Sequence, residues 1–373
     1  MDVDRCAFDV LQLNRPLIES IRETIRAQGP QSFAWFMQQA LYHPEHGYYS
    51  SGRCHIGRNG AYYTNVSVGP MFGQLLASQF SEIWDRLGKV NDFFIVEQGG
   101  HDGQFARDVL EFVQTRLPEF FEALRYRILE PFPILKEQQR RKLEAFGDKV
   151  EWRQSPEPFS GVHFSNELLD AMPVRLISDG REKLVGLDGD NFTFVERQVD
   201  KTIFNEAALD CVDQIAANLQ RGYFIAIDYG CLQEQFERKV QVRAQHRHLD
   251  SPFEQIGEAD ITMSVDWRSV IERAQANRLR VAGFTDQHHF LTGIISQFVS
   301  GDRGQSLLAD SRKAKRELQT LLHPEMLGRA FQVLTLAKNV DVNAPPLAGF
   351  KFARQLDYSV ASYERMKHGI SST

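Results

Sequence analysis

The chain has 373 residues, of which 42% are hydrophobic and 25% charged, a balance that supports a full buried core and excludes disorder and fibrous repeats. Its 43 Lys and Arg against 49 Asp and Glu leave a formal charge of −6, and no block of five like charges occurs, so a nucleic-acid footprint and a polybasic membrane anchor are both excluded. The length predicts one large α/β domain carrying insertions. Apolar runs such as 93–96 and 223–227 have strand length, far below the roughly 18 residues a membrane span requires, so no membrane insertion is expected. Asp2, Asp4 and Asp9 precede any apolar stretch, unlike a secretory signal or an acid-poor transit peptide, which predicts a cytoplasmic protein. Cys6, Cys54, Cys211 and Cys231 are scattered without a C-x-x-C pair and read as reduced structural thiols rather than as metal ligands.

In chain order, apolar residues Leu17, Ile18, Ile21 and Ile25 recur at helical spacing and stop at Gly29-Pro30. Ser32 is positioned to cap a second helix that carries Phe33, Phe36, Met37 and Leu41 inward and ends at Pro44. These two helices offer apolar faces on which a homodimer could pair. Residues 47–69 are rich in Gly, Tyr, Ser and Asn and predict a long ordered loop, which in a compact domain tends to be functional. A helix over 70–87 follows. Strand-like runs at 93–96, 126–129, 162–165 and 223–228 then alternate with helical patterns at 104–115, 135–146 and 168–171, the signature of βαβ units on a parallel sheet. Asp179-Gly180 and Asp188-Gly189 separate short strands over 174–200, which predicts an antiparallel meander. Residues 233–252 are polar and basic and read either as a lid or as a solvated loop. A helix over 265–277 and terminal strands at 330–337 and 350–355 complete the chain.

Residues 93–103, FFIVEQGGHDG, place an acid at a strand end and then Gly99, Gly100 and Gly103 before a helix. Glycine lets backbone N–H groups approach a ligand closely, so this turn has the form of a cofactor cradle, although similar turns also serve tight packing alone. The spacing is not G-x-G-x-x-G, and Asp102 is a poor match for a pyrophosphate, which counts against a nicotinamide dinucleotide. S-adenosylmethionine (SAM) carries a sulfonium and an ammonium group, for which Glu97 is chemically appropriate. About thirty residues on, Glu130 ends the next strand, where a carboxylate can accept from both ribose hydroxyls.

The segment 163–174, HFSNELLDAMPV, stands at a third strand end. Glu167 and Asp170 are three apart, so a helical turn would set them on one side, with Asn166 as its cap and a planar cation as the natural guest. The alternative is a capped turn with solvated acids. Asp228 ends a fourth strand, where support and contact are equally plausible roles. His43, His46 and His55 read as ordinary loop histidines.

With these pieces assembled, the chain resembles the MidA-like family of SAM-dependent methyltransferases over most of its length. The resemblance rests on FAWFMQQALYHPEHGYYS at 33–50, IGRNGAYYTN at 56–65 with MFG at 71–73, and IVEQGGHDG at 95–103. It continues through ILEPFPILKEQQRRKL at 128–143, SNELLDAMPV at 165–174, IDYG at 227–230 and GEADITMSVDW at 257–267. The family includes an assembly factor of a respiratory complex that methylates an arginine. The resemblance implies a Rossmann-like class I methyltransferase core (71–373, with insertions at about 174–200 and 233–264) preceded by a helical cap and loop (1–70). The insertions would form a substrate-binding region.

By position, Glu97, Gly99 and Gly103 match the SAM loop, with Gly100 completing its turn, and Glu130 matches the ribose acid. Thr64 keeps the threonine of the amino-terminal motif and is assigned to the cofactor. Asn166, Glu167 and Asp170 match an N-E-x-x-D segment beside the transferred methyl and are assigned to catalysis, with Glu167 as proton acceptor. His101 stands where the family has the middle glycine, and acids of the amino-terminal motif are replaced. The implied activity is methyl transfer to an arginine of a protein partner, such as a respiratory-complex subunit, with a non-catalytic scaffold as the alternative.

Overall fold

The computed structural model describes residues 14–52, 64–200, 203–232, 239–245, 247–299, 311–341 and 343–353. Cys6, Cys54, His55 and most of the 56–65 motif lie outside them, as do 233–238 of the expected lid. An eight-stranded sheet organises the chain. Its parallel part comprises β2 (Phe93–Gln98), β3 (Leu124–Leu129), β4 (Val150–Arg153), β5 (Phe159–Asn166) and β9 (Leu219–Cys231). β15 (Phe331–Lys338) runs antiparallel to β9, and β14 (Arg280–Asp286) pairs antiparallel with β15. The spatial order β14-β15-β9-β5-β2-β3-β4 reverses direction between β2 and β5. That reversal is a topological switch point, where ligands bind beyond the carboxyl ends of the strands.

Period-two alternation sends successive side chains to opposite faces of this sheet. In β9, Tyr223, Ile225 and Ile227 join the core beneath α4 (Met71–Arg86) and α5 (Gln104–Arg116), whereas Phe224 and Ala226 join the core beneath α8 (Glu206–Asn218) and α9 (Trp267–Ala276). Both faces are covered, which is why these strands read as continuous apolar runs.

A third core lies outside the main sheet. The buried stripes of α1 (Arg15–Gln28) and α2 (Phe33–Tyr42) pack with Val174 and Val185 of one insertion and with Val242, Ile261 and Met263 of the other. The apolar faces expected to pair two copies are therefore consumed within the chain. In the first insertion, β7 (Arg181–Asp188) pairs antiparallel with β8 (Asn191–Gln198), β6 (Leu176–Ser178) and β1 (Gln31–Ser32). In the second, β10 (Val240–Ala244) pairs antiparallel with β11 (Arg247–His248) and β12 (Asp260–Met263), so the described part of the expected lid is a small sheet. Two further expectations are corrected. Residues 168–171 form a turn rather than a helix, and 348–350 form a 3-10 turn instead of opening a terminal strand. No described helix is long and apolar enough to cross a membrane.

Candidate active site

β2 delivers Glu97 to the switch point, buried, with one carboxyl oxygen 2.8 Å from the donating Tyr126 hydroxyl. Burial pushes its pKa up to about 7. The turn that follows presses between two side chains: a Cβ on Gly100 would lie 3.1 Å from the Glu97 carboxyl carbon, and one on Gly99 would lie 3.2 Å from Leu168. Gly99 and Gly103 have φ of 81° and 82°, and His101, at φ 42°, also occupies the left-handed region. The chain thus holds a side chain in a conformation natural to the glycine it replaces, at a cost of about 1–2 kcal/mol.

The cost is met by a network behind the turn. From α7 (Pro133–Leu143), Gln139 donates to the His101 carbonyl at 2.7 Å and to Glu130 Oε2 at 2.9 Å, while its own oxygen accepts from Trp152 at 2.9 Å. Glu130 Oε1 also accepts from the Phe132 N–H at 2.9 Å. Each carboxylate oxygen has a second acceptor site free for a hydroxyl. Burial raises the Glu130 pKa against these bonds. Asp102 accepts from Lys142 and from the Gln104 N–H at the start of α5. Burial would raise its pKa, but hydrogen bonds from His101 and Lys142 hold it well below the carboxylate range.

On the other side of the switch point, β5 ends in Asn166, and Glu167 turns the chain at φ 54°. Asp228 fixes that turn, its carboxylate accepting from the N–H groups of Leu168, Leu169, Asp170 and Tyr229. Glu167 Oε1 accepts from the Asn166 amide at 2.8 Å and from the Asn65 N–H at 3.4 Å. Burial pushes the Glu167 pKa up to about 8, and Asp170 is raised by burial and by the neighbouring Asp228 and Asp260 carboxylates. Thr64 caps α3 (Asn65–Val68), its hydroxyl accepting from the Ser67 N–H. Asn65 in turn donates to Asn166 at 2.9 Å and accepts from Gln287.

Together these elements wall a cavity of about 660 Å³ whose lining includes Thr64, Glu97, Gly99, Gly100, Glu130, Asn166 and Glu167. Gly103 is not in the wall; it starts α5. Asp170 lies behind the wall, on a second cavity of about 90 Å³ that shares Tyr49 and Glu167 with the first. Asn65, Gln139, Tyr49 and Asp260 carry these contacts without having drawn attention in the sequence. Tyr49 donates to Asp260 at 2.5 Å across 211 residues, a pairing that no local pattern reveals.

The large cavity fits SAM in its charge. Among the described residues its lining holds Glu97, Asp102, Glu130, Glu167 and Asp210 and no lysine or arginine, which suits a sulfonium and an ammonium and opposes a pyrophosphate.

A family model described as "Putative S-adenosyl-L-methionine-dependent methyltransferase" matches residues 75–285. A Drosophila melanogaster protein named protein arginine methyltransferase NDUFAF7 homolog, mitochondrial, is 25% identical, with 90% of this chain and 88% of that protein covered. The Xenopus laevis protein of that name is 24% identical over 87% of this chain and 86% of its own. A crystal structure from Burkholderia thailandensis, described as a "likely methyl transferase" bound to S-adenosyl-homocysteine (SAH), superposes with a TM-score of 0.80 at 27% identity, covering 92% of this chain and 96% of that one. The expectation of a cytoplasmic protein is corrected by these relatives, which are named as mitochondrial. The acidic amino terminus on which it rested says nothing about the compartment of the folded protein.

Proposed function

Because the chain belongs to the SAM-dependent methyltransferase family, we propose that it transfers a methyl group to an arginine guanidinium nitrogen of a protein, with a respiratory-complex subunit as the acceptor. The observation that carries this reading is the pair Glu167 and Asp170, buried carboxylates at the border between the cofactor cavity and a second, smaller one. The names of the relatives support it. SAM supplies an electrophilic methyl group on a sulfonium. Glu97 sits beside the glycine turn, where it can balance the cofactor's positive charge, and Glu130 offers both oxygens to the ribose hydroxyls. Gly99 and Gly100 let the backbone approach, and Thr64 closes the wall from the amino-terminal segment.

Glu167 and Asp170 orient the acceptor by charge-assisted hydrogen bonds to its planar guanidinium. A nitrogen lone pair forms the bond to the methyl carbon as the carbon–sulfur bond breaks and its electron pair returns to sulfur. The nitrogen then carries one proton too many, and Glu167 accepts it. A buried carboxylate with its pKa near 8 is matched to that task at neutral pH, once a cation beside it draws off its first proton. Incubation with methyl-labelled SAM and mitochondrial protein extract tests the reading, with acid hydrolysis and separation of the labelled amino acids. Label in methylarginine is expected; label confined to methyl-lysine or methyl esters would sink it.

A further inference from the structure

The small cavity has a construction of its own. It is lined by Tyr49, Glu167, Asp170 and Tyr229 from the amino-terminal segment and the core, and by Gln241, Arg243, Asp260, Thr262 and Ser264 around the second insertion. Arg243 on β10 and Asp260 on β12 are directly opposed across the strand pair, as are Gln241 and Thr262. The alternate residues Val242, Ile261 and Met263 point the other way, into the third core. One face of this sheet is thus apolar and packed, and the other presents four polar side chains to a cavity.

Two groups there await a ligand. Asp170, 6% exposed, has as its partner only the Asp228 carboxyl among the described residues, and Asp228 already accepts four backbone N–H groups. The Arg243 Nε is buried and unbonded, and its guanidinium donates to Gln241 instead of pairing with a carboxylate. A volume of about 90 Å³ accommodates a few waters or one small planar group and excludes a nucleoside.

Resting on the methyltransferase reading above, we infer that this cavity is the port through which the acceptor arginine reaches Glu167, with Asp260 and Arg243 as its specificity-determining residues. The Asp170 and Asp260 carboxylates attract the guanidinium. Arg243 repels a bare cation and offers its free N–H to a carbonyl of the acceptor backbone, so that a small cation alone is held poorly and an arginine within a polypeptide is held well. Arginine selectivity then belongs to the insertion, and SAM binding belongs to the core.

The test uses ethylguanidinium chloride as a probe, titrated calorimetrically into the full-length protein saturated with SAH. Saturable binding is expected in the wild type. Asp260→Asn should weaken it at least tenfold, and Arg243→Gln should tighten it severalfold, with SAH affinity unchanged in both. A folding defect cannot tighten binding, so the second variant guards the first. No saturable binding to the wild type, or equal binding to all three proteins, would overturn the port. If the opposite-signed effects appear while label from SAM never reaches arginine, the port stands as a guanidinium site and the acceptor proposed above falls. If label reaches arginine with an unchanged KM in Asp260→Asn, the port falls and the acceptor stands.

Discussion

Glu167 is the residue on which geometry and electrostatics meet. Its left-handed backbone would be costly for most side chains, and it is held by the Ile227 carbonyl, which accepts the Glu167 N–H at 2.9 Å, and by the bonds from Asn65 and Asn166 to its carboxylate. Glu167→Gln keeps the shape and removes the proton acceptor, so kcat should fall by about 100-fold or more while SAH affinity stays within about twofold. Steady-state kinetics beside calorimetry checks this. Because burial raises the Glu167 pKa to about 8, the carboxylate forms only as pH climbs toward that value. The wild-type kcat/KM should therefore rise between about pH 6 and 8, and this limb should be missing from the residual rate of the variant. Its role as a cation-facing acid was legible from N-E-x-x-D, but its conformation was not. The pattern predicted one face of a helical turn, whereas Asp228 gathers the following N–H groups and forces a tight non-helical turn.

At the scale of elements, α7 acts as the brace of the cofactor loop. Gln139 alone ties the His101 carbonyl, Glu130 and Trp152 together, so the turn, the ribose acid and β4 share one side chain. Gln139→Leu leaves a buried carboxylate and a carbonyl short of a donor, a loss of about 1–3 kcal/mol in a fold that otherwise persists. SAH affinity should drop about tenfold or more, with far-ultraviolet dichroism unchanged; an unaltered affinity would show that the turn holds itself. The elements around this brace were readable locally. Ser32 does cap α2, accepting from the Trp35 N–H at 3.1 Å, and the alternation of 223–228 is the two-sided burial of β9. What misled was the polar stretch 233–252, which lacks an apolar run because one face of its sheet lines a cavity; the alternation of Val240, Val242 and Ala244 was its only trace.

Across the whole molecule, several carboxylates are buried around two adjoining cavities, and this governs stability as well as chemistry. Glu97 and Glu167 have pKa values raised by burial to about 7 and about 8. A raised folded-state value means that the protonated acid favours the fold, a contribution complete below the unfolded pKa and lost as pH rises through the folded one. The ligand-free protein should therefore lose stability between about pH 6.5 and 8.5, a window above the ordinary histidine value, so that imidazoles add little slope. Urea unfolding across that window measures it, and Glu97→Gln with Glu167→Gln should flatten the profile; a flat wild-type profile would contradict the burial of these acids. By itself the sequence determined the alternating α/β core, the glycine turn after β2, and the acids Glu97, Glu130 and Glu167 at strand ends, because each depends on neighbours a few residues away. Only the tertiary structure decided that Tyr49 meets Asp260, that Asn65 reaches Asn166, and that two distant insertions share a core with the amino-terminal helices. Those contacts join residues 101 to 211 positions apart, and their energy comes from closing apolar faces on one another, which leaves no periodicity in any one segment to announce its partner.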